Sequence, residues 1–452
     1  MLKSRDMPLQ NISEKVITRF PPSPTGFFHI GSARTALFNY LFAKKNNGVL
    51  YLRFEDTDKA RSKKEYEDDI RAGLEWLGIE CTLPEVARQS ERMHIYRAQF
   101  TKLLESGAAY EAESTADDKS KKVIRFKNPN IRIVFQDLIR GEVSFDTTEL
   151  GDFVIAKSLE EPLYHLAVVI DDHEMAVTHV IRGEDGISNT PRQILILEAL
   201  GFTRPSYAHI PLILAPDRSK LSKRHGAVSV TEYKNMGFLS EALVNYLALL
   251  GWNPGGDKEI FNMDELISEF DLSRVHKAGA IFSEEKLRWF NKEHLKKNGN
   301  YQISIINEVR KLFPEADDQI VKKIVPIVFE RIEVLSDIKK LADNGELLYY
   351  FSQPTYKKED LHWKGEKDTD NTKIYLTETA AKLESLDKTF DADTVRKALW
   401  TYAEEKGKGN VLWPLRFALS GREKSPDPFT LASILGKNET LRRIRRAAEL
   451  LS

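Results

Sequence analysis

Hydrophobic and polar positions near the amino terminus of this chain follow two different periods. Positions 16–20 and 49–54 are short runs rich in β-branched and aromatic residues, which predict buried strands. Apolar residues in 33–43 and 63–77 recur instead at helical spacing. The predicted order is strand, helix, strand, helix, which is typical of an α/β fold.

The loop between the first strand and the first helix is unusually rigid. It contains three prolines and two glycines, which indicate a fixed turn rather than a hairpin. The loop brings Gly31 and Ser32 to the helix N-terminus, where backbone N–H groups can bind a phosphate, and His29 adds a further donor. An ordinary proline-stiffened connection has the same pattern, so this loop alone does not establish a phosphate site.

The sequence texture changes between 83 and 162, which predicts a smaller α+β unit inserted between two halves of a sheet. A helix is expected at 89–105. The polar stretch 111–122 has no apolar periodicity and is expected to be a loop. Short strands are predicted at 123–126, 131–135, 143–145 and 153–155.

Further strands are predicted where the α/β pattern returns. Positions 164–170 form a near-continuous apolar run, as in a strand covered on both faces, and 177–181 and 207–214 are the next two strands. A helix is expected at 190–200, with Pro191 near its start. In a parallel sheet, the residues that follow each strand meet at one edge, where ligands bind.

Charged residues follow several of these strands. Positions 55–58 come after the second strand, and we expect Glu55 to serve function and Asp58 to cap the next helix. Other charged residues follow later strands, namely Arg182, Glu184, Asp185, Lys220, Lys223 and Arg224. A pocket with these neighbours would suit a polyphosphate and a zwitterionic ligand together.

From about 231 onward the apolar spacing is mainly helical. Helices are predicted at 240–250, 263–270 and 283–289 and across 319–351, and the polar stretch 357–371 is expected to cross between helical units. The predicted units are a sheet domain formed by 1–82 and 163–230, the insertion 83–162, and two helical regions, 231–300 and 301–452.

The composition is that of an ordinary globular chain of 452 residues, 41% apolar and 30% charged. No apolar run approaches the roughly 20 residues that a membrane helix needs, and positions 1–15 lack a signal-peptide pattern. We therefore expect a cytoplasmic protein with no membrane partner. The single cysteine, Cys81, excludes an internal disulfide framework and a Cys-rich metal site.

The net charge of −1 does not by itself favour a nucleic-acid partner. The run 442–446, however, contains four arginines on a predicted helix. A local basic surface can bind phosphates while acidic faces elsewhere balance the total. A solvated helix end explains the run at least as well.

Several motifs together resemble the signatures of bacterial glutamyl-tRNA synthetases, which are class I aminoacyl-tRNA synthetases. They are RFPPSPTG at 19–26 with HIGS at 29–32; RFEDTD at 53–58; YHLA at 164–167 with DDHEM at 171–175 and VIRGED at 180–185; and KLSKR at 220–224. Their order and spacing extend the resemblance over nearly the whole chain. Ser23, Thr25 and the sequence of 53–58 differ from the related glutaminyl enzymes, so the resemblance indicates glutamate.

This resemblance implies a Rossmann-like catalytic domain with an acceptor-end-binding insertion, a stem-contact helical region and a helical anticodon-binding half. It assigns glutamate binding to Arg19, Ser23, Glu55, Tyr164 and Arg182. It assigns ATP binding to Pro22, His29, Gly31, Ser32, Asp185, Lys220, Ser222, Lys223 and Arg224, of which His29, Lys220 and Lys223 are the catalytic candidates. Contacts with tRNA are expected from Arg331, Arg416, Arg442 and Arg443, although salt-bridged helix faces explain these arginines better.

The implied reaction uses L-glutamate, ATP with Mg²⁺ and tRNA(Glu), and passes through glutamyl-adenylate. We expect a monomer. Many relatives carry a zinc knuckle in the insertion, but positions 111–114 contain no thiol, so no zinc site is expected. Ser32 stands where the general class I motif has a second histidine, a position that varies among glutamyl enzymes.

Other activities remain open on the sequence alone. An enzyme of this kind could also charge tRNA(Gln) with glutamate, and no residue decides this. A truncated relative that glutamylates a modified tRNA base is disfavoured, because it lacks the long helical carboxy-terminal half. An inactive tRNA-binding paralogue would be indicated by loss of His29, Lys223 or Arg182, and all three are present.

Overall fold

The computed structural model describes residues 15–82, 88–113, 122–222, 224, 226, 228–297, 299, 301–364, 370–386 and 389–452. The chain divides into two compact units, Met1–His294 and Leu295–Ser452. Among the described residues, no helix is both long enough and apolar enough to cross a membrane.

Strands and helices alternate along the first unit. Its strands are β1 (Ile17–Phe20), β2 (Val49–Leu52), β3 (Ala109–Glu113), β4 (Lys122–Phe126), β5 (Arg132–Asp137), β6 (Gly141–Asp146), β7 (Phe153–Ser158), β8 (Glu161–Pro162), β9 (His179–Gly183), β10 (Ser206–Ile210), β11 (Ile213–Leu214) and β12 (Ala280–Ile281). Its helices are α1 (Ile30–Lys45), α2 (Lys64–Trp76), α3 (Met93–Glu105), α4 (Tyr164–Glu174), α5 (Thr190–Ala199), α6 (Val230–Asn235), α7 (Ser240–Leu249), α8 (Met263–Glu269) and α9 (Glu284–Lys297), the last of which continues into the second unit.

Parallel strands form the edge at which the predicted site residues meet. β1 pairs with β2 and β9 pairs with β10, both in parallel. The amide of Thr178, just before β9, donates to the carbonyl of Ile17 at the start of β1 (3.0 Å), so the two pairs are neighbours. Residues that follow all four strands line one cavity, which places the carboxyl ends of these strands at one edge. The predicted α/β domain with a parallel sheet is confirmed.

The segment predicted as an insertion supplies strands to two different sheets. One antiparallel sheet has the order β3-β4-β7-β8. The β5–β6 hairpin instead extends the sheet of β9 and β10, in the order β6-β5-β10-β9, and Asp137 is the partner of Tyr207. The predicted domain boundaries stay a prediction, but one hairpin of 83–162 reaches the sheet that carries the cavity.

The predicted loop at 111–122 is wrong at its beginning, because β3 continues to Glu113. Most side chains of this short strand are exposed and polar, so it lacks the apolar alternation by which a strand is recognised. Positions 114–121 lie outside the described residues.

The predicted cap of α2 is also wrong. The Asp58 carboxylate accepts a hydrogen bond from Arg61 Nε (2.6 Å) and does not reach the helix. Lys63 precedes α2, and its side chain makes no capping hydrogen bond. The carboxylate therefore pairs within its own turn.

The strand predicted at 164–170 is wrong, since these residues form the first part of helix α4. The run from Leu166 to Ile170 is buried on every side, so no exposed polar positions reveal its period. The helix then continues through Asp171 and Asp172, two acids whose carboxylates are buried in ion pairs. A fully apolar run in a covered layer is compatible with a strand or with a helix. The length of the element, 11 residues from Tyr164 to Glu174, favours the helix.

Asp171 joins α4 to α3 and its preceding turn. Its carboxylate accepts hydrogen bonds from Arg92 Nε (2.7 Å), Tyr96 Oη (2.9 Å) and Gln89 Nε2 (2.8 Å). Arg53 Nε, from the end of β2, lies 3.6 Å from the same carboxylate. This buried anion therefore fixes three elements relative to one another.

Asp172 ties α4 to the two parallel strands β1 and β2. Its carboxylate accepts from Arg53 Nη1 (2.8 Å) and from Arg19 Nε (3.2 Å). Burial by itself would raise the pKa of Asp172, but the two guanidinium groups hold it below its ordinary value. The acid is therefore ionised and neutralises charge directly behind the cavity.

The second unit is helical throughout its described secondary structure. Its helices are α10 (Tyr301–Leu312), α11 (Asp318–Arg331), α12 (Asp337–Asp343), α13 (Leu348–Phe351), α14 (Asp370–Glu384), α15 (Ala392–Lys406), α16 (Lys408–Ser420) and α17 (Pro428–Leu450). Gly436 interrupts α17 with a positive φ of 79°, a conformation that glycine adopts without strain. The predicted helical carboxy-terminal half is confirmed.

We expect Asp171→Asn to destabilise the first unit by about 3–5 kcal/mol, because it removes the carboxylate that pairs with the buried Arg92 and one of the three carboxylates around Arg53. Urea denaturation measures the loss. Asp68→Asn is the matched control, since Asp68 forms an exposed pair with Lys64 that contributes at most about 1 kcal/mol. Equal losses in the two variants would contradict the structural role of Asp171.

Candidate active site

A cavity of about 590 Å³ opens at the carboxyl ends of β1, β2, β9 and β10. Most of the residues predicted for glutamate and ATP line it: Arg19, Pro22, Ser23, His29, Gly31, Ser32, Glu55, Tyr164, Arg182, Asp185 and Lys220. These residues come from stretches of the chain as far apart as 19 and 220, so the fold brings the separate motifs together.

The second signature, 220–224, lines the cavity only in part among the described residues. Lys223 lies outside the described residues. Ser222 and Arg224 are described but do not line this cavity, and Arg224 Nη2 donates to Ser219 Oγ (3.2 Å). Lys220 and Leu221 of this motif line the cavity, and Lys220 forms an exposed pair with Asp185 (3.5 Å).

The rigid loop ends in a histidine that caps α1. The backbone of His29 is extended, and its Nδ1 accepts a hydrogen bond from the Gly31 amide (3.0 Å). In the neutral ring the proton is therefore on Nε2, which makes that nitrogen a donor. The Gly31 amide is thus bonded to His29 in this structure, and its contact with phosphate stays a prediction.

Arg19 and Arg182 present unpaired donors at the same cavity. Nη1 of each guanidinium is buried and has no hydrogen-bond partner among the described residues. A buried donor without a partner is unfavourable, and the penalty is larger for a charged group. Two such donors at one cavity are the arrangement that a carboxylate would satisfy.

Arg182 is held by three neutral groups. Its Nε donates to His209 Nε2 (3.1 Å), and its Nη2 donates to Thr190 Oγ1 (2.8 Å) and to the carbonyl of Gly186 (3.1 Å). Burial lowers the pKa of Arg182 from its ordinary value, although the group remains a cation at neutral pH. Among the described residues, Arg182 thus forms no ion pair with a carboxylate.

Glu55 supplies a carboxylate to the other side of the pocket. Arg53 Nη2 donates to Glu55 Oε1 (3.0 Å), and the Glu55 side chain is buried. Burial raises the pKa of Glu55, while Arg53 and Arg19 act in the opposite direction. The carboxylate is thereby positioned as an acceptor at the cavity.

Several residues of the site were not predicted from the sequence. Arg34, on α1, lines the cavity and donates to the carbonyls of Leu250 and Pro211. Asp172 lies within a quoted motif, but no role was assigned to it. His209 and Asp137 give no local signal, because a buried histidine in an apolar strand resembles an ordinary core residue.

The four arginines predicted for tRNA lie in the second unit and are engaged within it. Arg331 pairs with Glu346, and Arg442 pairs with Glu439. Arg416 Nη1 donates to the carbonyl of Glu423 (3.2 Å). Arg443 is buried and donates to the carbonyls of Tyr349, Leu419 and Ser352, so its guanidinium serves the interior of the unit. A role in tRNA binding stays a prediction for all four.

Metal ligands are not grouped in the described part of the chain. No cluster of three or more His, Cys, Asp and Glu side chains is placed there to hold an ion. Position 114, which ends the thiol-free stretch 111–114, and positions 115–121 lie outside the described residues.

Family models match almost the whole chain. The model described as tRNA synthetases class I (E and Q), catalytic domain, matches residues 15–119 and 111–289. The model described as anticodon binding domain matches residues 302–448. The second unit is therefore similar to an anticodon-binding domain, as the motif resemblance implied.

Curated relatives and solved structures give the same result. The glutamate–tRNA ligases of Heliobacterium modesticaldum and Aquifex aeolicus are each 41% identical to this chain, over 97% of it and over 97% and 100% of their own lengths. The crystal structure of a glutamate tRNA ligase from Elizabethkingia meningosepticum in complex with its amino acid matches with a TM-score of 0.86 and 35% identity, covering 97% of this chain and 100% of that chain. The chain therefore belongs to the glutamate–tRNA ligase family of class I aminoacyl-tRNA synthetases.

Proposed function

We propose that this chain activates L-glutamate with ATP and transfers the glutamyl group to the terminal adenosine of tRNA(Glu). The observation that carries the proposal is that Arg19 and Arg182 both line one cavity and that each has a buried Nη1 without a hydrogen-bond partner among the described residues. A glutamate side-chain carboxylate has two oxygens and a full negative charge, so it satisfies both donors. Family membership supports the same substrate.

The remaining groups of glutamate have partners of matching charge. The Glu55 carboxylate faces the same cavity and would bind the α-ammonium group. Ser23 and Tyr164 carry hydroxyl groups and line the cavity. The Tyr164 side chain is exposed, so it can reorient toward a bound ligand. Arg19, Ser23, Glu55, Tyr164 and Arg182 are thus proposed as the glutamate site.

ATP would enter on the side of the first helix and the second signature. His29 Nε2 and the Lys220 ammonium are donors that suit phosphate oxygens, and Pro22, Gly31, Ser32 and Asp185 line the same space. Ser222, Lys223 and Arg224 are proposed to contact ATP from the second-signature loop. Magnesium belongs to this scheme as part of the MgATP substrate.

The first chemical step would form glutamyl-adenylate. An oxygen of the glutamate α-carboxylate attacks the α-phosphorus of ATP, and the bond to the β-phosphate bridging oxygen breaks to release pyrophosphate. Negative charge builds on the phosphate oxygens, so fixed cations and N–H donors lower the barrier by positioning and electrostatic stabilisation. No covalent nucleophile of the protein is needed.

The second step would use a neighbouring cavity of about 890 Å³. Ser23, Glu55 and Tyr164 line both cavities. The predicted insertion contributes to the second one Lys157, Ser158, Glu160, Glu161 and Pro162, among others. A terminal adenosine placed there would bring its hydroxyl to the activated carbonyl carbon. That hydroxyl oxygen attacks the carbon, and AMP leaves with the former carboxylate oxygen.

Exchange of labelled pyrophosphate into ATP tests the proposed reaction. We expect exchange that requires L-glutamate, in the presence of purified tRNA(Glu), and no exchange with L-glutamine or D-glutamate. Omitting the tRNA measures how far activation depends on it. Absence of L-glutamate-dependent exchange even with cognate tRNA would overturn the proposed function.

We expect Arg182→Lys to raise the KM for glutamate by roughly 10- to 100-fold, because lysine keeps the charge but loses the planar donors that bind a carboxylate. The KM for ATP should stay close to the wild-type value. Arg204→Lys is the matched control, since Arg204 forms a surface pair with Glu198. If both KM values rise together in Arg182→Lys, the assignment of Arg182 to glutamate is wrong.

A further inference from the structure

His209 is a buried histidine that the proposed reaction does not use directly. It is fully buried on β10, and the parallel register places it opposite Arg182 on β9. Its Nε2 accepts the hydrogen bond from Arg182 Nε (3.1 Å). A nitrogen that accepts from a guanidinium N–H carries no proton, so the proton of the neutral ring is on Nδ1.

Asp137 holds this tautomer in place. The His209 Nδ1 proton points at Asp137 Oδ2 (2.6 Å), and the same oxygen accepts from the His209 backbone amide (3.1 Å). The other oxygen accepts from the amides of Ile139 (2.9 Å) and Arg140 (2.8 Å). The carboxylate is fixed by three backbone donors, and it fixes the imidazole in turn.

The hydrogen bonds around Arg182 then leave one nitrogen unpaired. Nε is bonded to His209, and Nη2 is bonded to Thr190 and to the carbonyl of Gly186. Nη1 is buried and has no partner among the described residues, on a side chain that lines the cavity. The plane of the guanidinium, and therefore the direction of Nη1, depends on the group that binds Nε.

We propose that Asp137 and His209 form a positioning pair that orients Arg182 toward the side-chain carboxylate of glutamate. The proposal rests on the proposed function and extends it, because neither residue touches the substrate. Asp137 lies on β5, within the segment predicted as the insertion. The glutamate pocket is thus set in part by a hairpin that contains none of the recognised motifs.

Variants at His209 separate positioning from simple filling of the core. His209→Phe keeps a ring but removes both nitrogens, so the KM for glutamate should rise at least about tenfold, as for a lost hydrogen bond to a charged group. The KM for ATP should remain near the wild-type value. His209→Gln returns an oxygen acceptor to the place of Nε2 and should restore most of the glutamate KM.

Asp137→Asn tests the orienting partner. Its amide would donate to Nδ1 and move the ring proton to Nε2, where it opposes Arg182 Nε–H, so the KM for glutamate should also rise. His94→Gln, at an exposed histidine on α3, is the matched control and should change neither KM. If His209→Phe and Asp137→Asn leave the glutamate KM unchanged, or raise the ATP KM equally, the positioning role is overturned.

A spectroscopic measurement keeps the test independent of catalysis. In protein with ¹⁵N-labelled histidine, the His209 signals, assigned with His209→Gln, should report a protonated Nδ1 and an unprotonated Nε2. Asp137→Asn should reverse them, and a protonated Nε2 in the wild type would overturn the proposal even if a variant fails to fold. Lack of glutamate-dependent exchange in the wild type would count against the proposed function alone.

Discussion

The site depends on one carboxylate, that of Asp172, which two buried arginines share. Arg19 and Arg53 are both buried behind the cavity, and each needs an anion close by. Asp172 pairs with both, since its carboxylate accepts hydrogen bonds from Arg19 Nε and Arg53 Nη1. Arg53 Nη2 is then left for Glu55, and Arg19 Nη1 is left without a partner among the described residues. The positions of an acceptor and a donor for the ligand both follow from this division.

The sequence predicted the strands at the active edge, and most of the residues that it assigned to glutamate and ATP line the cavity, because motif residues directly after parallel strands meet there. It failed at α4, where a wholly buried apolar run has no visible period. It also failed for His209 and Asp137, which are 72 positions apart and meet only through the β5–β10 pairing. Such a pairing depends on sheet order and register, which local patterns do not determine.

The two arginines of the proposed glutamate site are held by different means, and the difference has a consequence for selectivity. Arg19 is paired with Asp172, so much of its charge is already neutralised. Arg182 is held only by an imidazole, a hydroxyl and a carbonyl among the described residues, so its charge remains for the ligand. Burial lowers the pKa of Arg182, which expresses the cost of that uncompensated charge.

A ligand carboxylate removes this cost. A neutral amide of the same shape leaves the buried cation without a counter-ion, and its NH₂ group would face the N–H donors of the arginines. Discrimination between glutamate and glutamine would then arise less from the number of hydrogen bonds than from the neutrality of the groups behind Arg182. A carboxylate in place of His209 would hold the guanidinium equally well but would neutralise its charge. The pocket would then no longer favour a negatively charged side chain over a neutral one. A neutral imidazole orients Arg182 without neutralising it, because the carboxylate of Asp137 binds His209 and not Arg182.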